Sequence, residues 1–233
     1  MTFQQSSLSA FPRPQTTLVG RAAETAAIHE LIRLPNVRLI TLTGAGGSGK
    51  TRLALHAALT IDGFPDGRWF VELSGLSDPA LIIPQIGRAL GVRDRGAAST
   101  GDQLIEMLDG RDALLVLDNF EHLLDGATAI SQLISRTDKV KLLVTSRSSL
   151  NLAQEHVVSI GSLDIERPPD GHHSEAAKLF LQRSRAIRPG YDPSPADLQA
   201  IEQICAQLSG IPLAIELAAA RIRVMAPQAL LSR

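Results

Sequence analysis

Apolar positions recur along this chain in two alternating rhythms. After Gly20 the spacing of Ala27, Ile28, Leu31 and Ile32 predicts a helix to about Leu34, stopped by Pro35-Asn36. Arg38 to Thr43 (RLITLT) is short, apolar and β-branched, as a buried strand is. Glycines then interrupt the pattern, and helical spacing returns from Lys50 to about Ile61 through Leu53, Ala54, Ala57 and Ala58. The alternation repeats. Arg68 to Leu73 predicts a strand, and a helix follows to about Leu90, its start left open by Pro84. Thr100 to Gln103 has capping-box spacing and opens a helix that stops at Gly110. Ala113 to Leu117 is a continuous apolar run, expected of a strand covered on both faces. Leu123 to Ser135 is helical, and Lys141 to Thr145 and Val157 to Ile160 complete five strands. Strands and helices alternating in this way predict an α/β fold, a five-stranded parallel sheet flanked by helices with right-handed crossovers.

The rhythm changes after Arg167-Pro-Pro-Asp-Gly171, a linker signal. Helical stretches follow at about 174–187, 195–208 and 212–225, with no strand. Ser194-Pro195 is a cap followed by a first-turn proline, and Gly210 stands just past the end of that helix. The organisation expected is a loose tail over 1–17, an α/β domain over 18–166 and a small C-terminal all-helical subdomain over 167–233. No internal repeat is evident.

At about 150 residues per domain, 233 residues make roughly one and a half domains. A formal net charge of −1 disfavours direct nucleic-acid binding by this segment. Six Phe, one Trp and one Tyr are too few for a base-stacking platform. The single cysteine, Cys205, excludes an internal disulfide framework and a multi-cysteine zinc site. It fits a reducing, cytoplasmic setting, and its apolar-periodic neighbourhood makes it a core residue. The longest apolar candidate, Ile211 to Ala220, is broken by Glu216 and too short to span a bilayer, so no membrane association is expected. The N-terminus lacks the basic start and apolar middle of a signal peptide. His172-His173 reads as solvated linker, and Arg88, Arg93 and Arg95 as a solvated basic face.

The chemistry concentrates in Gly44-Ala45-Gly46-Gly47-Ser48-Gly49-Lys50-Thr51, a full match to G-x-x-x-x-G-K-[ST] between a strand and a helix. The glycines let successive N–H groups converge on a phosphate, and the helix N-terminus adds its positive end. Lys50 reaches between β- and γ-phosphates, and the Thr51 hydroxyl suits Mg²⁺, which takes few protein ligands. Leu114 to Asp118 is an apolar strand ending in a carboxylate. Asp118 either holds the metal through water or caps the element that follows. Asn119 stands where fast ATPases place a second carboxylate, so slow turnover is expected. Glu121 either substitutes for it or is a solvated charge. Arg147, just beyond the strand Leu143-Val-Thr-Ser, either reads a γ-phosphate or pairs with a local carboxylate.

In order, the chain carries Leu18-Val-Gly-Arg21 with Glu24, the Gly44–Thr51 loop followed by Arg52-Leu-Ala, LLVLDNFEH from Leu114 to His122, LVTSR ending at Arg147, and GIPLA from Gly210 to Ala214. Together these resemble the STAND class of signal-transduction ATPases, the NB-ARC-like group, in its bacterial transcription-regulator branch. The resemblance implies a P-loop NTPase that binds ATP or ADP with Mg²⁺. It implies that Val19 and Arg21, with Gly20 between them, line the adenine, and that Arg52 belongs to the nucleotide-binding set. It implies that Pro212 touches the nucleotide from a helical lid, and that Lys50, Asp118 and Arg147 carry the phosphate chemistry. Protein effector or sensor domains outside this chain are the implied partners, and a nucleotide-dependent oligomer is compatible with it. The winged-helix and sensor segments usual in the family are not in this sequence, which leaves a nucleotide-binding core or a short product.

Two other classes share the loop. A P-loop phosphotransferase would use the helical region over an acceptor substrate, and a binding scaffold would hold nucleotide without turnover. A GTPase is disfavoured, because no Asn-Lys-x-Asp motif is present.

Overall fold

The computed structural model describes residues 11–92, 99–169 and 171–232. Residues 1–10, Arg93 and Arg95 of the basic cluster and Asp170 of the linker lie outside the described residues. The described residues form two compact units. One comprises the chain up to Thr17 with Ala22–Gly44 and Lys50–Ser159; the other comprises Leu18–Arg21, Ala45–Gly49 and the chain from Ile160 onward.

The first unit is built on five parallel strands, β1 (Leu39–Thr43), β2 (Gly67–Glu72), β3 (Ala113–Asp118), β4 (Lys141–Ser146) and β5 (Glu155–Ser159), in the order β2-β3-β4-β1-β5. Central β1 is buried at every position and β3 and β4 at all but one end residue, so apolar residues dominate both faces of these strands, with Thr41, Thr43, Thr145 and Ser146 as the buried polar exceptions. Helix α1 (Ala22–Arg33) precedes β1, and α2 (Lys50–Thr60), α3 (Ile82–Leu90), α4 (Thr100–Leu108) and α5 (Ala127–Ser135) lie in the connections from β1 through β4. Helix α1 buries Ile28 and Ile32, one turn apart, and α2 buries Leu53, Ala54, Ala57 and Ala58. The main core joins Leu39, Leu115, Leu117, Leu142 and Val144 from the sheet to Ile86, Leu104 and Ile130 from helices.

Several local expectations are corrected. Helix α4 is capped by Ser99, not Thr100: the Ser99 hydroxyl accepts the Asp102 N–H at 3.1 Å and donates to the Asp102 carboxylate at 2.7 Å. It ends at Leu108, before Gly110. Pro84 is the third residue of α3, within the turn whose N–H groups have no intrahelical acceptor, so it breaks nothing. The segment from Leu123 reaches α5 through a 3₁₀ turn at Leu124–Gly126 rather than as one helix. The stretch 11–17 is not loose: Phe11 is buried with its ring edge-on to Phe70 at 6.2 Å, and Arg52 holds Thr16 and Thr17.

The second unit is helical: α6 (Glu175–Ile187), α7 (Pro195–Gln207), α8 (Pro212–Ala220) and α9 (Pro227–Leu231). Its core gathers Phe180, Ile201, Ile204, Cys205, Ile215 and Ile222, with Leu163 buried among them and Val19 packed against them. Those contacts are why the unit starts at Ile160 and takes in Leu18–Arg21. The capping box at Ser194 and Asp197 is present, with Pro195 in the first turn. The last helical stretch is divided. Helix α8 stops at Ala220, and Pro227, which has no N–H to donate, starts α9 after an extended Ala226.

Cys205 is fully buried, and burial pushes its thiol up to about 12. At pH 8 about one thiol in ten thousand is then ionised. We expect Cys205 to resist alkylation at pH 8 in the folded protein and to react within minutes in denaturant, followed by mass spectrometry. Rapid labelling of the native chain would contradict this packing.

Among the described residues no helix is long and apolar enough to cross a membrane.

Candidate functional site

Parallel register brings the chemistry of the first unit to one edge. Thr43 pairs with Ser146, Leu117 with Val144, and Glu72 with Asp118. The carboxyl ends of β1, β3 and β4 therefore deliver Gly44, Asp118 and Arg147 to the same side of the sheet.

Asp118 is the hub. Its Oδ1 accepts the Thr51 hydroxyl at 2.7 Å and the Thr145 hydroxyl at 2.6 Å. Thr145 Oγ1 in turn accepts the Asn119 N–H at 3.0 Å. Asn119 takes a left-handed backbone (φ 68°) and makes no side-chain cap for the turn Phe120–His122. Asp118 is thus engaged by hydroxyls from α2 and β4 rather than by the following turn.

Lys50, first residue of α2, donates from Nζ to the Gly44 carbonyl at 2.8 Å, folding back over the loop it follows. Burial lowers its pKa below the ordinary lysine value. Glu121 opposes that shift, Arg147 adds to it, and Asp118 opposes it more weakly. These four side chains share one electrostatic neighbourhood. Arg147 is largely exposed and donates from Nε to Glu121 Oε1 at 3.0 Å. Arg52 is turned to the N-terminal stretch, donating to the Thr16 carbonyl and hydroxyl and to the Thr17 carbonyl.

In the second unit, Ala45–Gly49 and Leu18–Arg21 lie with the helices. Gly47 and Gly49 have φ of 78° and 92°, left-handed values that side chains resist. At Gly47 space is also closed: a Cβ there would come within 2.9 Å of the Leu213 Cβ. The Leu213 N–H, in the first turn of α8, donates to the Gly47 carbonyl at 3.2 Å. Pro212 is the first residue of that helix, where its missing N–H costs nothing. Arg21 is buried and donates to the Ser48 carbonyl at 3.3 Å and the Gly161 carbonyl at 2.6 Å. At Gly20 (φ 67°) the Glu175 carboxylate lies where a Cβ would stand.

The residues fit a phosphate with a hard divalent cation. The Ser48 hydroxyl is buried in the loop and has no hydrogen-bond partner, a donor that a phosphate oxygen would satisfy. Thr51 and Asp118 offer two hard oxygens side by side, which suits Mg²⁺. Among the described residues no group of three or more His, Cys, Asp or Glu could hold a metal ion by itself.

Thr145 was not singled out by sequence reasoning. Its signal was a hydroxyl at the end of an otherwise apolar strand run, Leu142-Leu-Val, one residue before the sheet edge.

Residues 36–153 match the model of the family described as AAA domain. A putative HTH-type transcriptional regulator of Mycobacterium tuberculosis is 38% identical over 191 residues, covering 82% of this chain and 21% of that protein. The chain thus spans about a fifth of that relative's length. Among solved structures, a signal-transduction ATPase with numerous domains (STAND) and a tetratricopeptide-repeat sensor, from Pyrococcus horikoshii, superposes with a TM-score of 0.59 at 20% identity, over 88% of this chain and 30% of that one. Cdc6p from Pyrobaculum aerophilum gives 0.62 at 19% identity, over 95% and 65%. Both likenesses concern the fold.

Proposed function

We propose, from the premise that this chain belongs to the AAA domain family, that it is an adenine-nucleotide switch whose conformation depends on the terminal phosphate and which hydrolyses ATP slowly. The observation that carries the reading is the Thr51–Asp118 hydrogen bond. It joins the hydroxyl at the end of a glycine-rich loop to a carboxylate at the end of a buried strand, as residues sharing one metal-bound phosphate group would be joined.

In this reading the Gly44–Thr51 loop takes the phosphates and Lys50 leaves the Gly44 carbonyl to lie between the β- and γ-phosphates. Thr51 and Asp118 would hold Mg²⁺, which when bound neutralises charge on the phosphate oxygens. Arg147 reads the γ-phosphate. Val19, Gly20 and Arg21 form the adenine element and Pro212 the contact from the helical unit. Arg52 belongs to the nucleotide-binding set, with its guanidinium also donating to the Thr16 and Thr17 carbonyls.

A route from phosphate to helices is supported by contacts inside the second unit. The carbonyls of Gly47 and Ser48 are taken by Leu213 and Arg21. A loop that turns its N–H groups onto a phosphate reorients those carbonyls, so α8 and Arg21 respond to the occupancy of the loop. Moving a two-state equilibrium from 1:99 to 99:1 takes about 5.5 kcal/mol of differential binding. Hydrogen bonds to charged groups contribute about 1.5–3 kcal/mol each. Lys50 and Arg147 acting together on the γ-phosphate reach that total at the upper end of this range; either alone falls short.

The likeness to an HTH-type regulator supports placing this core in a longer, cytoplasmic regulatory protein, with effector and sensor parts outside the chain and no nucleic-acid contact by this segment. Hydrogen–deuterium exchange with saturating ADP or a non-hydrolysable ATP analogue tests the switch. We expect different protection at 18–21, 45–49 and 208–220 in the two states. Identical protection with both nucleotides bound would contradict it.

A further inference from the structure

We infer that Glu121 is the carboxylate that accepts the proton of the attacking water in ATP hydrolysis, and that its ion pair with Arg147 keeps it silent until a γ-phosphate draws the arginine away. The inference rests on the nucleotide reading above and adds to it the base and its control.

Asn119 occupies the position directly after the strand carboxylate, and a carboxamide has no basic oxygen to offer. Its backbone is left-handed and its N–H is spent on Thr145. Of the carboxylates that act on Lys50, Asp118 already receives two hydroxyls on one oxygen, whereas Glu121 has the larger influence. Glu121 is also held in place from both sides. Phe120 is fully buried in the core, and the His122 ring bonds the Leu73 carbonyl at 3.1 Å. The intervening turn therefore presents Glu121 at the sheet edge, with its side chain about one-fifth exposed (19%). An acid there is close to the residues proposed for the terminal phosphate.

The pair itself is built to exchange. Arg147 is 68% exposed and engages Glu121 through Nε at 3.0 Å. Ion pairs this open to water are weak, while a phosphate offers an arginine bidentate, doubly charged recognition. A γ-phosphate thus outcompetes Glu121 for Arg147. Departure of the arginine then frees the carboxylate oxygen it had occupied to accept a hydrogen bond from water. In the step, the water oxygen bonds to the γ-phosphorus and the bond from that phosphorus to the β,γ-bridging oxygen breaks. The bridging electron pair stays on ADP, and the water proton passes to Glu121, which later returns it to solvent.

The test compares single-turnover hydrolysis with nucleotide affinity in the wild-type chain and in Glu121→Gln, Glu121→Asp and Arg147→Ala, with Mg²⁺ present. For Glu121→Gln we expect a rate at least about 100-fold lower. Its ADP affinity should be unchanged, and its affinity for a non-hydrolysable ATP analogue should rise several-fold, because Arg147 no longer has to leave a partner. Glu121→Asp should recover part of the rate. Arg147→Ala should keep ADP binding and lose the preference for the ATP analogue. A merely structural Glu121 would lower both affinities together and would not be rescued by aspartate. The inference is overturned by a Glu121→Gln rate within threefold of wild type, or by a wild-type chain that binds ATP and never releases phosphate. A wild-type chain that binds neither nucleotide overturns the nucleotide reading itself.

Discussion

Lys50→Ala is expected to weaken both ADP and ATP binding by about 100-fold, the size of one charge-assisted contact of about 3 kcal/mol. Lys50 opens α2, its ammonium lies 2.8 Å from the Gly44 carbonyl, and burial already disfavours its charged form. A lysine held this way is destabilised until an anion arrives, so phosphate gains more from it than from a solvated surface lysine. Stability without nucleotide should fall by about 1 kcal/mol, the net size of an ordinary hydrogen bond such as the one to the neutral Gly44 carbonyl. Fluorescent-nucleotide titration with parallel urea unfolding separates the two effects. Undiminished affinity in a folded variant would contradict the assignment of the loop.

The second large effect is on the helical unit. Gly210→Ala is expected to cost about 3–4 kcal/mol. Gly210 has φ 67°, and a Cβ there would stand 2.2 Å from the Leu163 carbonyl oxygen, a backbone atom that cannot step aside. Gly210 also accepts the Leu163 N–H at 2.9 Å and donates to the Cys205 carbonyl at 3.0 Å, closing the end of α7 and pinning Leu163 into the core. Gly190→Ala is the control. Its φ is 78° but nothing lies within 4 Å of the added methyl, so it isolates the left-handed strain, about 1–2 kcal/mol. Denaturant unfolding of the two variants should differ by about 2 kcal/mol. Equal losses would show that the approach to Leu163 is not limiting.

Much of the fold was legible because its strands are covered on both faces. β3 reads as an unbroken apolar run and β1 and β4 as short apolar, β-branched ones for that reason, and the glycine loop and Asp118 follow from local spacing at their ends. What was not legible depends on partners far along the chain. Phe11 looked like part of a tail because its cover, Phe70, lies on β2. Arg52 follows the phosphate loop, and local spacing does not show that its guanidinium also donates to the Thr16 and Thr17 carbonyls, far back along the chain. Both readings of Arg147 were open from sequence, and its bond to Glu121 shows a local acid as its present partner. Thr145 escaped notice because a threonine inside a strand is ordinary; only its approach to Asp118 gives it a part. The one-residue shift of the α4 cap from Thr100 to Ser99 is of another kind, two adjacent hydroxyl residues of similar capping power decided by Asp102.

Calorimetric titration of the purified chain with ADP and with a non-hydrolysable ATP analogue, in Mg²⁺ and again in excess chelator, bears most directly on the nucleotide reading. We expect saturable one-to-one binding of both, with Mg²⁺ strengthening the analogue more than ADP, because Thr51 and Asp118 would hold the cation and it would neutralise the extra charge of the analogue. No heat with either nucleotide, from protein shown to be folded and free of carried-over nucleotide, would contradict it.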